Sequence, residues 1–186
     1  MKKEQIRANV RARKALLDDA ERHEAAHRVF ELLADTAAFA MADKILIYHS
    51  LPDELSTHDF LERWHDRKQF YLPRVNGLDL DILPYSSTRM HLGAFHIEEP
   101  DGEDFADVAD MDLIIVPAVA YDRSGNRVGR GKGYYDRLLA KATATKVGVC
   151  YDFQLYDYDE IECDEFDVPM DIIIADRHGL IRVKRS

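Results

Sequence analysis

Between residues 125 and 137 the chain reads Gly-Asn-Arg-Val-Gly-Arg-Gly-Lys-Gly-Tyr-Tyr-Asp-Arg. Three alternating glycines, Gly129, Gly131 and Gly133, let backbone N–H groups turn toward one centre and approach a ligand closely. Arg127, Arg130 and Lys132 add positive charge. A helical pattern starts where the glycines end, at Tyr134, and a helix start also favours an anion. Together these residues describe a cradle for phosphate. A flexible surface turn with solvated charges is the simpler reading of a lone glycine repeat. Strand, glycines, three cations and helix in succession favour the cradle. The segment is not a P-loop, because no Ser or Thr follows Lys132, and it fits the dinucleotide fingerprint poorly.

Such a loop needs a rigid strand before it. Asp112 to Pro117 is a short apolar run that reads as a buried strand. Similar runs occur at Lys44–Ser50, Gln69–Leu72, Lys146–Cys150 and Met170–Ala175, with a shorter one around Leu80, Ile82 and Leu83. The strand from Gln69 is expected to stop at Pro73. Helical spacing marks Ile6, Val10 and Leu17 in a first helix. Asp18 followed by Glu21 predicts a capping box opening a second, with Ala25, Ala26, Val29, Phe30 and Leu33 on its apolar face. Thr57 is expected to cap a helix carrying Phe60, Leu61 and Trp64. Strands apolar on both faces and alternating with helices predict an α/β fold: a single three-layer domain over residues 1–186, its mostly parallel sheet covered by helices. Ser86 to Asp110 reads as a long connection, unusual enough to suggest function.

Composition narrows the class of partner. The 186 residues carry 25 Lys and Arg against 35 Asp and Glu, a net charge of −10, which argues against broad nucleic-acid binding. A basic run from Lys2 to Lys14 is read as a solvated helix face. Two cysteines, Cys150 and Cys163, make neither a disulfide framework nor a zinc motif. No apolar stretch is long enough to span a bilayer. A soluble, cytoplasmic monomer that does not meet membranes is the default expectation.

Asp112 to Leu139, DLIIVPAVAYDRSGNRVGRGKGYYDRLL, resembles the signature of 5-formyltetrahydrofolate cyclo-ligases, also called methenyltetrahydrofolate synthetases. Further similarities follow in order: Lys3 to Arg7 with the family's K-x-x-L-R, the acidic pair Asp53-Glu54, Leu72-Pro73-Arg74, and Gly93 to Pro100 with G-x-[FW]-x-I-x-E-P. Gly148, Gln154, Asp167 and Asp171 fit the C-terminal pattern. The chain departs from it at Ala118, Phe166 and Ala175-Asp176.

The resemblance implies a fold related to sugar-phosphate isomerases and CoA transferases. It implies ATP and Mg²⁺ as cofactors and a reduced formyl-folate as substrate. Lys3 and Arg7 would contact ATP, and Arg127, Gly129, Arg130, Gly131, Lys132, Gly133, Tyr134 and Tyr135 would wrap its phosphates. Arg7, His49, Glu54, Phe95 and residues 130–134 would line the folate site, with Phe95 stacking on the pterin. Asp136 and Asp167 would hold magnesium, and Lys132 and Arg130 would stabilise the transferring phosphoryl group. Two competing readings are a paralogous ATP-dependent enzyme for another formamide, and a non-catalytic folate- or nucleotide-binding module.

Overall fold

The computed structural model describes residues 1–93 and 97–184. Helix α1 (Lys3–Lys14) buries Ile6 and Val10, and Leu17 falls in the link beyond it. Helix α2 (Asp19–Ala34) opens with the expected box: Asp18 accepts from the Glu21 N–H at 2.8 Å, and Glu21 returns the contact at 3.3 Å. A short α3 (Ala37–Met41) leads into strand β1 (Lys44–Ile47). Helix α4 (His58–Trp64) precedes β2 (Gln69–Asn76) and β3 (Asp79–Pro84). A hairpin of β4 (Met90–Leu92) and β5 (Glu98–Pro100) follows. Next come β6 (Leu113–Val116), β7 (Ala120–Asp122), β8 (Arg127–Val128) and α5 (Tyr134–Leu139). The chain ends with β9 (Thr145–Cys150), β10 (Leu155–Tyr156), β11 (Ile172–Ala175) and β12 (Gly179–Arg182).

Seven strands form the central sheet in the order β12-β11-β9-β6-β1-β2-β3. The inner pairings are parallel, and only the edge strands β3 and β12 run antiparallel. Buried side chains alternate between two apolar layers. Ile45, Ile47, Leu113, Ile115, Val147 and Val149 face the layer shared with α2, α3 and α4. Leu46, Ile114, Val116, Cys150 and Ile173 face the layer shared with α5 and Tyr121. Helices and connections cover both faces, so the inner strands need no polar side, as their sequences indicate.

The topology creates a crevice. From β1 the chain crosses to β2 on one side; from β6 it crosses to β9 on the other. The loops leaving β1 and β6 therefore diverge at the carboxyl ends of two adjacent strands, where open α/β sheets bind ligands. Those loops carry Asp53-Glu54 and the glycine segment.

Three local expectations are corrected. Strand β2 runs through Pro73 to Asn76. Pro73 pairs with Ile82, whose carbonyl turns away to accept from the Ala106 N–H, and the β1 register ends at Tyr71. Neither neighbour asks Pro73 for a donor. Thr57 stands at the start of α4 but makes no side-chain cap; its hydroxyl donates to the Tyr48 carbonyl at 2.9 Å and accepts from the Ser50 N–H at 3.1 Å. Thr57 thus closes the loop after β1. The connection from Ser86 to Asp110 contains the β4–β5 hairpin, and Glu99 on it is buried and accepts from the Val75 N–H.

Gly148 shows how tightly the α5 layer is filled. A methyl group there would lie 2.4 Å from the ring of Tyr121, which is fully buried and donates its hydroxyl to the Val116 carbonyl. Gly148→Ala is expected to cost about 1–3 kcal/mol by overpacking. Thermal unfolding should show it as a fall of about 2–4 °C for each kcal/mol.

Candidate active site

The glycine segment is anchored before it reaches the crevice. Asp122 is completely buried, and its Oδ1 accepts from the N–H groups of Ser124 and Asn126 at 3.0 Å each. Its Oδ2 accepts from the Asn126 side chain at 3.0 Å and from the Ile161 N–H at 3.2 Å. One carboxylate thus ties the entry of the loop to the segment that leads to Asp167. Gly131 and Gly133 then adopt φ of +102° and +72°, where a side chain would be strained. Helix α5 has only six residues, so its dipole contributes little here. The backbone N–H groups and the cations carry the case for an anion.

Arg127 is turned into the protein. Its guanidinium donates to the Pro117 carbonyl at 3.0 Å and to Asp136 Oδ1 at 3.2 Å, and lies 5.6 Å from the Tyr135 ring centre. Burial pushes the Tyr135 phenol well above its usual range. Arg7 reaches across from α1 and donates Nε to the Gly129 carbonyl at 2.9 Å; Gly131 is close to the same guanidinium. Lys3, one turn earlier, pairs with Asp167 Oδ2 at 2.7 Å. Half of the basic run therefore faces inward, which corrects the reading of a solvated face: Lys3, Arg7 and Lys14 pair with polar groups of the protein, while Arg11 and Arg13 stay exposed, Arg13 over the Phe153 ring.

Across the crevice, Arg130 meets the loop after β1. Its guanidinium lies 3.2 Å from both oxygens of Asp53 and 3.8 Å from Glu54 Oε2. Glu54 is mostly buried, and its Oε1 accepts from the Leu51 N–H at 2.9 Å. Desolvation raises its pKa against the pull of that N–H and of Arg130. Lys132 is exposed between the two glycines at positive φ. Tyr134 leans toward the Gly77 carbonyl at 3.4 Å.

His49 stands apart from the ion-paired group. It stacks on His58 with ring centres 4.3 Å apart, and its Nδ1 lies 3.5 Å from Glu98. Burial, then the His58 neighbour, lowers its pKa. It lines an open hollow of about 450 Å³ with Tyr85, Met90, His91 and Glu98. Phe95 lies outside the described residues.

A family model described as the 5-formyltetrahydrofolate cyclo-ligase family matches residues 1–176. The chain belongs to that family. A 5-formyltetrahydrofolate cyclo-ligase of Haemophilus influenzae is 30% identical over 187 residues, covering 94% of this chain and 98% of the relative. One from Escherichia coli is 28% identical over 176 residues, with 89% and 96% covered. Among solved structures, 5,10-methenyltetrahydrofolate synthetase of Aquifex aeolicus superposes with a TM-score of 0.88 at 30% identity, covering 99% of this chain and 94% of its own. Membership in a family of ligases makes the chain an enzyme.

Within the family frame, the departures in sequence fall at edges. Phe166 is exposed beside Asp167, Ala175 ends β11 in the core, and Asp176 pairs with Arg28 at 2.8 Å. Among the described residues no group of three His, Cys, Asp or Glu side chains is gathered around a common point. Mg²⁺ does not require one: it keeps several waters and takes one or two carboxylates together with phosphate oxygens. The ion pairs with Arg127 and Lys3 use one oxygen each of Asp136 and Asp167, and a carboxylate offers about four lone-pair sites. Asp136 and Asp167 thus each keep one carboxylate oxygen outside their ion pairs. No helix among the described residues is long and apolar enough to cross a membrane.

Sequence reasoning missed three residues of this site. Asp122 was legible in principle, because Asp-x-Ser-Gly-Asn is turn chemistry of the Asx kind. Lys14 and Arg22 gave no local signal. Lys14 reaches Asp53 at 3.8 Å, and Arg22 donates to the carbonyls of Lys14 and Pro52 at 2.8 and 3.0 Å.

Proposed function

We propose that this protein closes 5-formyltetrahydrofolate to 5,10-methenyltetrahydrofolate, converting ATP to ADP and phosphate. The observation that carries the reading is the meeting, at the carboxyl ends of β1 and β6, of the glycine loop, which Arg7 braces at the Gly129 carbonyl, with the Asp53-Glu54 loop through Arg130. Donors suited to phosphate stand on one side and a mostly buried carboxylate on the other. Membership in the family supports the same pair of substrates.

The chemistry follows from the formamide. Its carbon is a poor electrophile, and its oxygen is a poor leaving group. In the proposed route the formyl oxygen attacks the γ-phosphorus and the bond to ADP breaks, leaving an iminium phosphate at N5. N10 of the same substrate then attacks that carbon. The carbon–oxygen bond breaks, phosphate departs with the former formyl oxygen, and the N10 proton passes to that phosphate or to water. Lys132, Arg130 and the N–H groups of residues 129–133 stabilise charge on the transferring group. Arg7 braces the loop through Gly129, and Lys3 adds charge near Asp167. Asp136 and Asp167 supply carboxylate oxygens to Mg²⁺, which when bound neutralises phosphate charge and orients the phosphates. Glu54 accepts hydrogen bonds from pterin N–H groups. His49, uncharged at neutral pH, lines the folate side with the hollow beside it, whose ~450 Å³ is within the usual range of ligand sites.

The test is an absorbance assay for the methenyl product with purified protein, MgATP and 5-formyltetrahydrofolate, with ADP measured in parallel. Product that forms only with ATP, in step with ADP, is expected. ADP without methenyl product would redirect the search to another formamide. Neither product from folded protein would favour a binding module.

A further inference from the structure

Three cations surround the loop of residues 51–54, and they differ in freedom. Arg130 is half exposed, with 52% of its side chain accessible, and both oxygens of Asp53 hold it. Lys14 retains only 10% accessibility at the end of α1, with Asp53 Oδ2 at 3.8 Å. Arg22 clamps backbone to backbone, binding the Lys14 carbonyl and the Pro52 carbonyl with one guanidinium. Lys3, Arg7 and Lys14 lie along the same side of α1 as the buried Ile6 and Val10. They reach the segment of Asp167, the glycine loop and the loop after β1 respectively.

Burial of an ammonium is costly unless a partner holds it, and desolvation does lower the Lys14 pKa. An apolar residue at this position would avoid that cost, so the charge calls for a reason. Arg130 supplies one. On the reading proposed above it must leave Asp53 and Glu54 to meet the phosphates. Without another cation, two adjacent acids, one of them mostly buried, would then face each other uncompensated. We infer that Lys14 is a positioning residue: with Arg22 it holds the loop of residues 51–54, and it remains the counter-ion of Asp53 and Glu54 when Arg130 turns to the nucleotide.

This inference rests on the folate-and-nucleotide reading, and equilibrium binding separates the two. Wild type, Lys14→Met, Lys14→Arg and Lys14→Met/Asp53→Asn are titrated with 5-formyltetrahydrofolate alone and with ATP alone, and melting temperatures are measured beside them. Lys14→Met is expected to weaken folate binding roughly tenfold and ATP binding a few-fold, because Asp53 and Glu54 then keep Arg130. Its melting temperature should hold or rise, since desolvation of the ammonium outweighs the pull of Asp53 and Glu54 and, without ligand, Arg130 still holds both acids. The added Asp53→Asn should restore most of the ATP affinity, showing coupling between the two sites. Lys14→Arg should bind the folate more tightly than Lys14→Met. Unchanged affinities in Lys14→Met beside a wild type that binds both ligands would overturn the inference alone. A fall in melting temperature with no change in either affinity would do the same, leaving a purely structural lysine. A wild type that binds neither ligand would overturn the functional reading and this inference with it.

Discussion

Lys132→Ala is expected to lower kcat about 10²–10³-fold, the loss that follows removal of one preorganised donor to developing charge. The lysine sits between two glycines held at positive φ, just after the stretch that Asp122 and Arg7 anchor. Its backbone is fixed independently of its side chain, since the Lys132 carbonyl accepts from Arg137 at 3.2 Å. Truncating an exposed side chain on such a loop should change stability by no more than about 0.5 kcal/mol. Large loss of turnover with an unchanged melting curve is therefore the expected pair of results. The KM for ATP should rise less than kcat falls if the ammonium acts mainly on the transferring phosphoryl group, because an interaction made only in the transition state is lost from kcat. A variant with wild-type kcat would show that the glycine loop does not carry the chemistry.

The core of this fold is legible because its strands are short apolar runs with no polar alternation, as in β1, β6, β9 and β11. Such strands must be covered on both faces, and only a helix–sheet–helix arrangement does so. The Asp18–Glu21 box is equally local and is found as expected. What escaped was set by tertiary partners. Whether Pro73 ends a strand depends on which carbonyls its neighbours aim at it, and Ile82 aims elsewhere. Whether Thr57 caps a helix depends on whether Tyr48 and Ser50 compete for its hydroxyl, and they do.

The site divides in the same way. The glycines and the cations among them are adjacent in sequence, so that segment is legible as a unit. Asp53, which faces it, is 77 residues away from Arg130, and nothing local in Asp53-Glu54 marks it as more than a surface pair. Lys14 and Arg22 are the clearest case. Each is one cation in a helix rich in charge, and only the fold reveals that they turn toward one loop while Arg11 and Arg13 turn away.

Glu54→Gln is expected to weaken binding of the formyl-folate about 10²-fold, the upper range for a hydrogen bond to a charged partner. ATP binding should change far less. The amide oxygen can still accept from the Leu51 N–H that Glu54 Oε1 now holds, so the loop keeps its shape and the loss reports on the ligand. Stability should move the other way. Burial raises the folded-state pKa of Glu54 above the ordinary value of 4.5. Between those two values the folded protein binds more protons than the unfolded chain, so stability falls as pH rises through that window. Above the raised pKa the full cost of an ionised, buried carboxylate is present; below the ordinary value it is absent. Glutamine has no such cost. Glu54→Gln should therefore melt higher than wild type at neutral pH, and the gap should close as the pH is lowered past the ordinary glutamate range. Denaturation curves at several pH values, run beside folate titrations, measure both effects. Lower folate affinity with higher neutral-pH stability would mark Glu54 as a carboxylate kept ionised for a ligand at the expense of the fold. Equal losses of folate and ATP affinity would instead assign Glu54 to holding Arg130.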